Sequence, residues 1–275
     1  MGRSITFASG KGGVGKTTLT ANMGIALAMT GQRVLLVDAD IAMANLSLLL
    51  KMQNSPITLH EVLIGEASVE DAIYSGPKGV DVIPSGLSLE SYRSADSERL
   101  KGIIEAVQDN YDFVLLDAPA GIERNVMSAL SSGKQVLLIT HPNSPSLADA
   151  LKTKMVAERL LSKPFGVIIN MVRGEKGELT RDEIMKMLEL PCYGVIPYDP
   201  EVRKTFIEKD PKPVILRKPN SPAGRAFQSA AARLSGQNVQ FEEVGRQSIF
   251  SRILSIFRRK QKKPKKEPEA KEEKK

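Results

Sequence analysis

The stretch that decides the fold is FASGKGGVGKTTLTANMG, residues 7–24. Its centre, Ser9 to Thr18, holds four glycines, two lysines and two threonines. Gly10, Gly15, Lys16 and Thr17 fit G-x-x-x-x-G-K-[ST] without a gap. The apolar run SITFAS (4–9) precedes the loop, and a helix-forming segment (16–30) follows it and stops at Gly31. A strand feeding a glycine loop that opens a helix suits phosphate for physical reasons. Glycines let successive backbone N–H groups turn inward around an anion. The helix start adds unpaired donors and the positive end of its dipole. Lys16 is expected to reach the β- and γ-phosphates of a nucleotide, and the Thr17 hydroxyl to bind Mg²⁺. Gly12, Gly13, Val14 and Thr18 complete the expected nucleotide-binding loop. Lys11 is the odd member, because a loop that only held phosphate would not need it. On spacing alone it reads as a solvent-facing lysine.

Working outward, further apolar runs occur at 33–40, 79–85, 111–119, 134–142, 164–172 and 192–199. They are continuously apolar rather than alternating, as in strands covered on both faces. Helical segments are expected over about 98–109, 122–132, 145–162, 179–189 and 221–235. Alternating strands and helices predict an α/β fold, a doubly wound, mostly parallel sheet flanked by helices, as one domain over 1–236. A polar linker (237–247), a helical segment (248–260) and a charged tail low in apolar residues (261–275) follow.

The 275 residues and 41% hydrophobic content support a sizeable core. A single cysteine, Cys192, excludes an intramolecular disulfide framework and fits a reducing compartment. Two distant histidines, His60 and His141, make no histidine-based metal cluster. No long apolar run precedes the glycine loop and no 18-residue apolar run occurs, so neither a signal peptide nor a membrane span is expected. The net charge of +7 is uneven: Arg258 to Lys275 carries ten Lys/Arg against four Glu. The rest is near neutral, which weighs against a generally DNA-coating surface.

GKGGVGKTT (10–18) resembles the deviant Walker loop of the MinD/ParA family of P-loop ATPases. The resemblance spans most of residues 3–235. It implies that Lys11 crosses an ATP-dependent homodimer interface to the phosphates held by the other subunit. DADIAMANLSLLL (38–50) is similar to the family's first switch segment, which implies that Asp40 positions the attacking water and that Asp38 lies near the metal. FVLLDAPAGIE (113–123) resembles the Walker B strand and second switch. Asp117 would then hold Mg²⁺ through water and Gly121 would sense the γ-phosphate. A carboxylate at that strand end is also where doubly wound sheets place ligand sites. By the same resemblance Asn170, Pro197 and Glu201 would contact adenine; as plain residues they read as a strand-end amide and a helix-capping turn. The implied cofactors are ATP and Mg²⁺, and the implied catalytic set is Lys11, Lys16 and Asp40.

One cysteine excludes the family's iron–sulfur branches. Between membrane-bound MinD-like ATPases and DNA-partitioning ParA-like ones, the C-terminal segment favours the first. Ile249, Phe250, Ile253, Leu254 and Phe257 fall on one helical stripe, flanked by Arg258 and Arg259. That is the composition of an interfacial anchor on anionic membrane; a helix docked on the body is the alternative. Lys/Arg near anionic lipid add about 1 kcal/mol apiece, so one tail binds marginally. Two tails on a dimer gain roughly 10²–10⁴ in avidity. The expectation is therefore a cytoplasmic, slow, partner-stimulated ATPase, peripheral on the inner membrane face, positioning the division site or another structure with an unknown activating or cargo protein. A ParA-like partitioning ATPase that binds nucleic acid, and a nucleotide-gated scaffold, are the competing expectations. The 15 residues after the helix depart from the family pattern. They would widen lipid contact, bind nucleic acid or serve a partner.

Overall fold

The computed structural model describes residues 2–41, 43–86, 99–121, 123–207 and 210–241. The expected amphipathic helix (248–260), the tail (261–275) and most of the linker lie outside these residues.

Eight strands form one sheet among the described residues: β1 (Arg3–Ala8), β2 (Val34–Asp38), β3 (Tyr74–Ser75), β4 (Asp81–Ile83), β5 (Phe113–Asp117), β6 (Gln135–Thr140), β7 (Lys163–Val172) and β8 (Cys192–Pro197). Their order is β3-β4-β2-β5-β1-β6-β7-β8. All neighbours run parallel except the short edge strand β3, antiparallel to β4. This is the doubly wound, mostly parallel sheet expected from the alternating pattern. Ten helices accompany it among the described residues: α1 (Lys16–Ala28), α2 (Asn45–Leu49), α3 (Leu59–Ile64), α4 (Leu100–Val107), α5 (Arg124–Ser132), α6 (Ser144–Arg159), α7 (Arg181–Leu188), α8 (Pro200–Ile207), α9 (Val214–Arg217) and α10 (Pro222–Leu234). The sequence pattern foretold α1, α4, α5, α6, α7 and α10. It did not foretell α2, α3, α8, α9 or β3, which are too short to show a hydrophobic period.

Strand residues alternate between two packed layers. Ile5, Phe7, Leu36 and Leu115 face a cluster with α1, α9 and α10. Leu35, Val37, Val114 and Leu116 face α3 and α4, while Val136, Leu138, Val167 and Ile169 face α5, α6 and α7. Helix α1 is buried over almost its whole length, between the sheet and α10. Asn22 secures it: its Nδ2 donates to the Thr18 carbonyl (2.7 Å) and its Oδ1 accepts from the Ile215 N–H of α9 (2.8 Å). The register sets Asp38 and Phe7 on either side of Asp117, so three strands end together where the glycine loop begins.

Candidate functional site

The loop Ser9–Gly15 leaves β1 at the C-terminal rim of the sheet and turns directly into α1. Gly13 and Gly15 take φ of 79° and 95°, left-handed values that L side chains avoid. Gly15 is the cap of α1, with no side-chain cap and no acidic residue in the first turn. The first amides of α1 are thus left to an incoming anion. Gly10 sits so close to α6 that a Cβ there would lie 2.5 Å from the Asp149 carbonyl oxygen. Lys11 stands exposed and Val14 is buried.

A cavity of about 610 Å³ opens beside the loop. From the expected set it is lined by Gly12, Gly13, Gly15, Lys16, Thr17, Thr18, Asp40, Asn170 and Pro197. Met43, Asn45, Ala118, Ala120, Met171, Tyr198, Asp199, Val202, Arg203 and Phe206 also line it, none of which the sequence reading named. The apolar members come mainly from the β7 and β8 ends and α8, the phosphate-type donors from the loop. The cavity therefore has one polar end and one apolar end, as a nucleotide requires.

Beneath the polar end lies a charge cluster. Lys16 is almost fully buried, and its ammonium donates to Ser9 Oγ (3.1 Å), whose hydroxyl donates to the Lys11 carbonyl (2.8 Å). Burial lowers the Lys16 pKa; the charges of Asp117 and then Asp40 pull it back. Asp117 is fully enclosed, and burial pushes its pKa up to about 7 against hydrogen bonds from Thr17 and Thr20 and the charge of Lys16. Asp38 is also pushed well above the carboxylate range, first by burial and then by Asp117. Asp38 Oδ2 accepts from the Ser47 N–H (2.9 Å) and hydroxyl (2.7 Å), and Ser47 Oγ in turn accepts from the Ser85 N–H (2.9 Å). Its Oδ1 is buried without a partner among the described residues. Asp38 thus ties α2 to the sheet and does not line the cavity. Asp40 does, and it accepts from the Met43 N–H (3.1 Å).

Three carboxylates crowd one lysine, so this corner is short of positive charge. A divalent cation brought in with phosphates fits that deficit, with Thr17 and Asp117 as the protein groups nearest to hold it. Among the described residues no group of three His, Cys, Asp or Glu is arranged to hold a metal by itself.

Other expected residues fall as follows. Gly121 has φ of 104°, a left-handed turn after β5, and does not line the cavity. Asn170 ends its strand beside the loop, and its Nδ2 donates to the Val14 carbonyl (2.7 Å). Glu201 is turned away from the cavity, toward Lys204 (2.7 Å) and Arg217 (2.8 Å). Its neighbour Asp199 lines the cavity instead and accepts from the Glu201 (2.9 Å) and Ala223 (3.1 Å) N–H groups, fixing the starts of α8 and α10. An acidic residue just before a Pro-started helix was the available signal for that cap.

The model of a family described as the CobQ/CobB/MinD/ParA nucleotide binding domain matches residues 5–212. An uncharacterized ATP-binding protein of Methanocaldococcus jannaschii is 41% identical over 255 residues, 92% of this chain and 96% of that protein. The septum site-determining protein MinD of Thermotoga maritima is 34% identical over 251 residues, 88% of this chain and 91% of that one. The cell division ATPase MinD of Pyrococcus furiosus superposes with a TM-score of 0.82 at 38% identity, covering 86% of this chain and 99% of that one. The septum site-determining protein MinD of Pyrococcus horikoshii, complexed with Mg-ADP, gives 0.81 at 37% identity, covering 85% and 96%.

Proposed function

From the premise that the chain belongs to the CobQ/CobB/MinD/ParA family of nucleotide-binding domains, we propose that it is a Mg-ATP-dependent ATPase of MinD type. It dimerises on ATP, associates reversibly with the inner face of the cell membrane, and positions the division site or another structure. One observation carries the nucleotide part: an uncapped α1 N-terminus, buried Lys16 and the Thr17–Asp117 pair share the polar end of one cavity.

The roles follow from placement. The amides from Gly12 to Thr18 and the Lys16 ammonium receive the β- and γ-phosphates. Thr17 and Asp117 hold Mg²⁺, which when bound neutralises charge on the transferred phosphoryl. Asp40 faces the cavity from the β2 end and orients the attacking water. Lys11, exposed on the outside of the loop, suits contact with a second copy of the chain. The apolar end, near Pro197 and Asn170, takes the base. Among the described residues no helix is long and apolar enough to cross a membrane. Membrane association is assigned to the stripe from Ile249 to Phe257 with Arg258 and Arg259.

Two measurements test this. Mg-ATP should raise the melting temperature of the wild type and not that of Lys16→Ala; an unchanged wild type would refute the nucleotide reading. The full chain with Mg-ATP should co-sediment with anionic liposomes, while the ADP form and a version ending at Gly245 should not. Equal sedimentation with ADP would detach the tail from the ATP cycle. Binding to duplex DNA that falls steeply with salt, without liposome binding, would favour the partitioning role.

A further inference from the structure

His141 was set aside in the sequence because no second histidine stands near it. The fold puts it to use. It directly follows β6, and β6 pairs with β1, so His141 sits on the same rim as the loop that follows β1. Its imidazole donates to the backbone carbonyl of Val14, while its Nε2 is buried without a partner among the described residues. Nδ1 is therefore the donating nitrogen. Burial and the nearby Lys11 charge hold the imidazole below its ordinary pKa, so at neutral pH it is a ring with one N–H to give. The same Val14 carbonyl accepts from Asn170 Nδ2 at 2.7 Å. Two adjacent strand ends thus occupy both lone pairs of one loop carbonyl. Position 15 cooperates: a Cβ there would collide with Asn170 Nδ2, so glycine is what lets the amide reach Val14.

The consequence lies in peptide geometry. The Val14 carbonyl and the Gly15 N–H belong to one planar trans unit and point in opposite directions. Holding the carbonyl back against the β6 and β7 ends aims the N–H forward into the loop's concave face. We infer that His141 and Asn170 act together as positioning residues that aim the Gly15 N–H at the bound phosphate chain. This rests on the nucleotide reading above and adds two residues that act through the loop. It also gives Asn170 a task independent of the base.

The experiment is calorimetric titration of the full chain with Mg-ATP and, separately, with tripolyphosphate plus Mg²⁺, which carries no base. His141→Leu should weaken both by about five- to tenfold, the worth of one hydrogen bond. His141→Asn, which keeps an N–H at similar reach, should bind nearly as the wild type. His141→Asp, the same size but only an acceptor, should behave as the leucine variant; this pair carries the comparison if leucine impairs folding. Asn170→Ala should weaken tripolyphosphate as well as ATP. Because either donor alone still holds the carbonyl, the double variant His141→Leu/Asn170→Ala should lose more than the product of the single losses. Unchanged tripolyphosphate binding in His141→Leu and His141→Asp, or a double loss equal to that product, overturns the inference and leaves the nucleotide reading standing. A wild type that binds neither ATP nor tripolyphosphate overturns both.

Discussion

Replacing Gly15 by alanine tests how the loop is held. Its φ of 95° and ψ of 26° cost an L residue about 1–2 kcal/mol. The new methyl would strike Asn170 Nδ2 and push that amide off the Val14 carbonyl, forfeiting a hydrogen bond worth about 1 kcal/mol. Against this, alanine lowers the entropy of the unfolded chain and returns roughly 0.4–1 kcal/mol. The net is a loss of about 2 kcal/mol, a fall of roughly 4–8 °C in melting temperature for a domain of this size. The assay is a thermal melt followed by circular dichroism without nucleotide, repeated with Mg-ATP. The variant should also lose the nucleotide-induced rise, because the Gly15 N–H is displaced. In an Asn170→Ala background the collision and the hydrogen bond are already gone, so the same substitution should cost only about half as much. A fall under 2 °C in the wild-type background, or equal falls in both, would refute the account of a loop clamped from β7.

Other expectations concern the frame around the site. Asn22→Ala should cost about 1–3 kcal/mol in chemical denaturation, because the buried Ile215 N–H loses its acceptor; no change would mean that the N–H finds another partner. Phe227→Ala, which empties a fully buried ring position between α10 and α1, should cost about 3–5 kcal/mol, read as a lower denaturation midpoint. Cys192 is buried, and burial pushes its thiol up to about 11. It should resist thiol reagents at pH 8 until denaturant is added; rapid labelling of the native protein would contradict the burial. Since the unfolded thiol ionises near 8.5 and the folded one near 11, the unfolded state sheds its proton first. That part of the stability is full below about pH 8 and lost as pH climbs toward 11.

Much of the architecture was legible because it is written locally. A parallel strand buried on both faces is a short continuous apolar run, and the glycine loop carries its strand, turn and helix in one stretch of eighteen residues. What stayed hidden depends on contacts between distant segments. Asp38 and Asp117 look like two separate strand ends, and only the pairing of β2 with β5 shows that they share a register position and raise each other's pKa. Asn170 read correctly as a strand-end amide beside the nucleotide, but its carbonyl partner lies 156 positions away. His141 carried no signal at all, since its partner Val14 comes from the opposite side of the glycine loop. Glu201 and Asp199 are two residues apart, and sequence spacing cannot tell which carboxylate turns toward the cavity. Helices α8 and α9 escaped because eight and four residues hold too little periodicity to separate from a turn.

The placement of α1 explains why such remote contacts matter to chemistry at the rim. A surface helix would leave its first turn free to fray, and its amides would then be poor fixed donors. Here α1 is wedged between the sheet and α10, with Leu19, Met23, Ile25 and Leu27 all inside the core. Gly24 lets the helix come so close to β2 that any side chain there would meet Leu36. Asn22 joins it to α9, and Thr20 joins it to Asp117 at 3.4 Å. The first turn thus inherits the rigidity of the core, and donors fixed in advance need no rearrangement when charge develops on a phosphate. It follows that Phe227→Ala and Asn22→Ala, neither of which touches the cavity, should weaken Mg-ATP binding as well as stability. Lys16→Ala should weaken binding by far more than it changes the melting temperature measured without nucleotide. If the core variants bind Mg-ATP as tightly as the wild type while melting earlier, the loop is held by its own contacts to β6, β7 and α6, and the seat of α1 is not what organises the site.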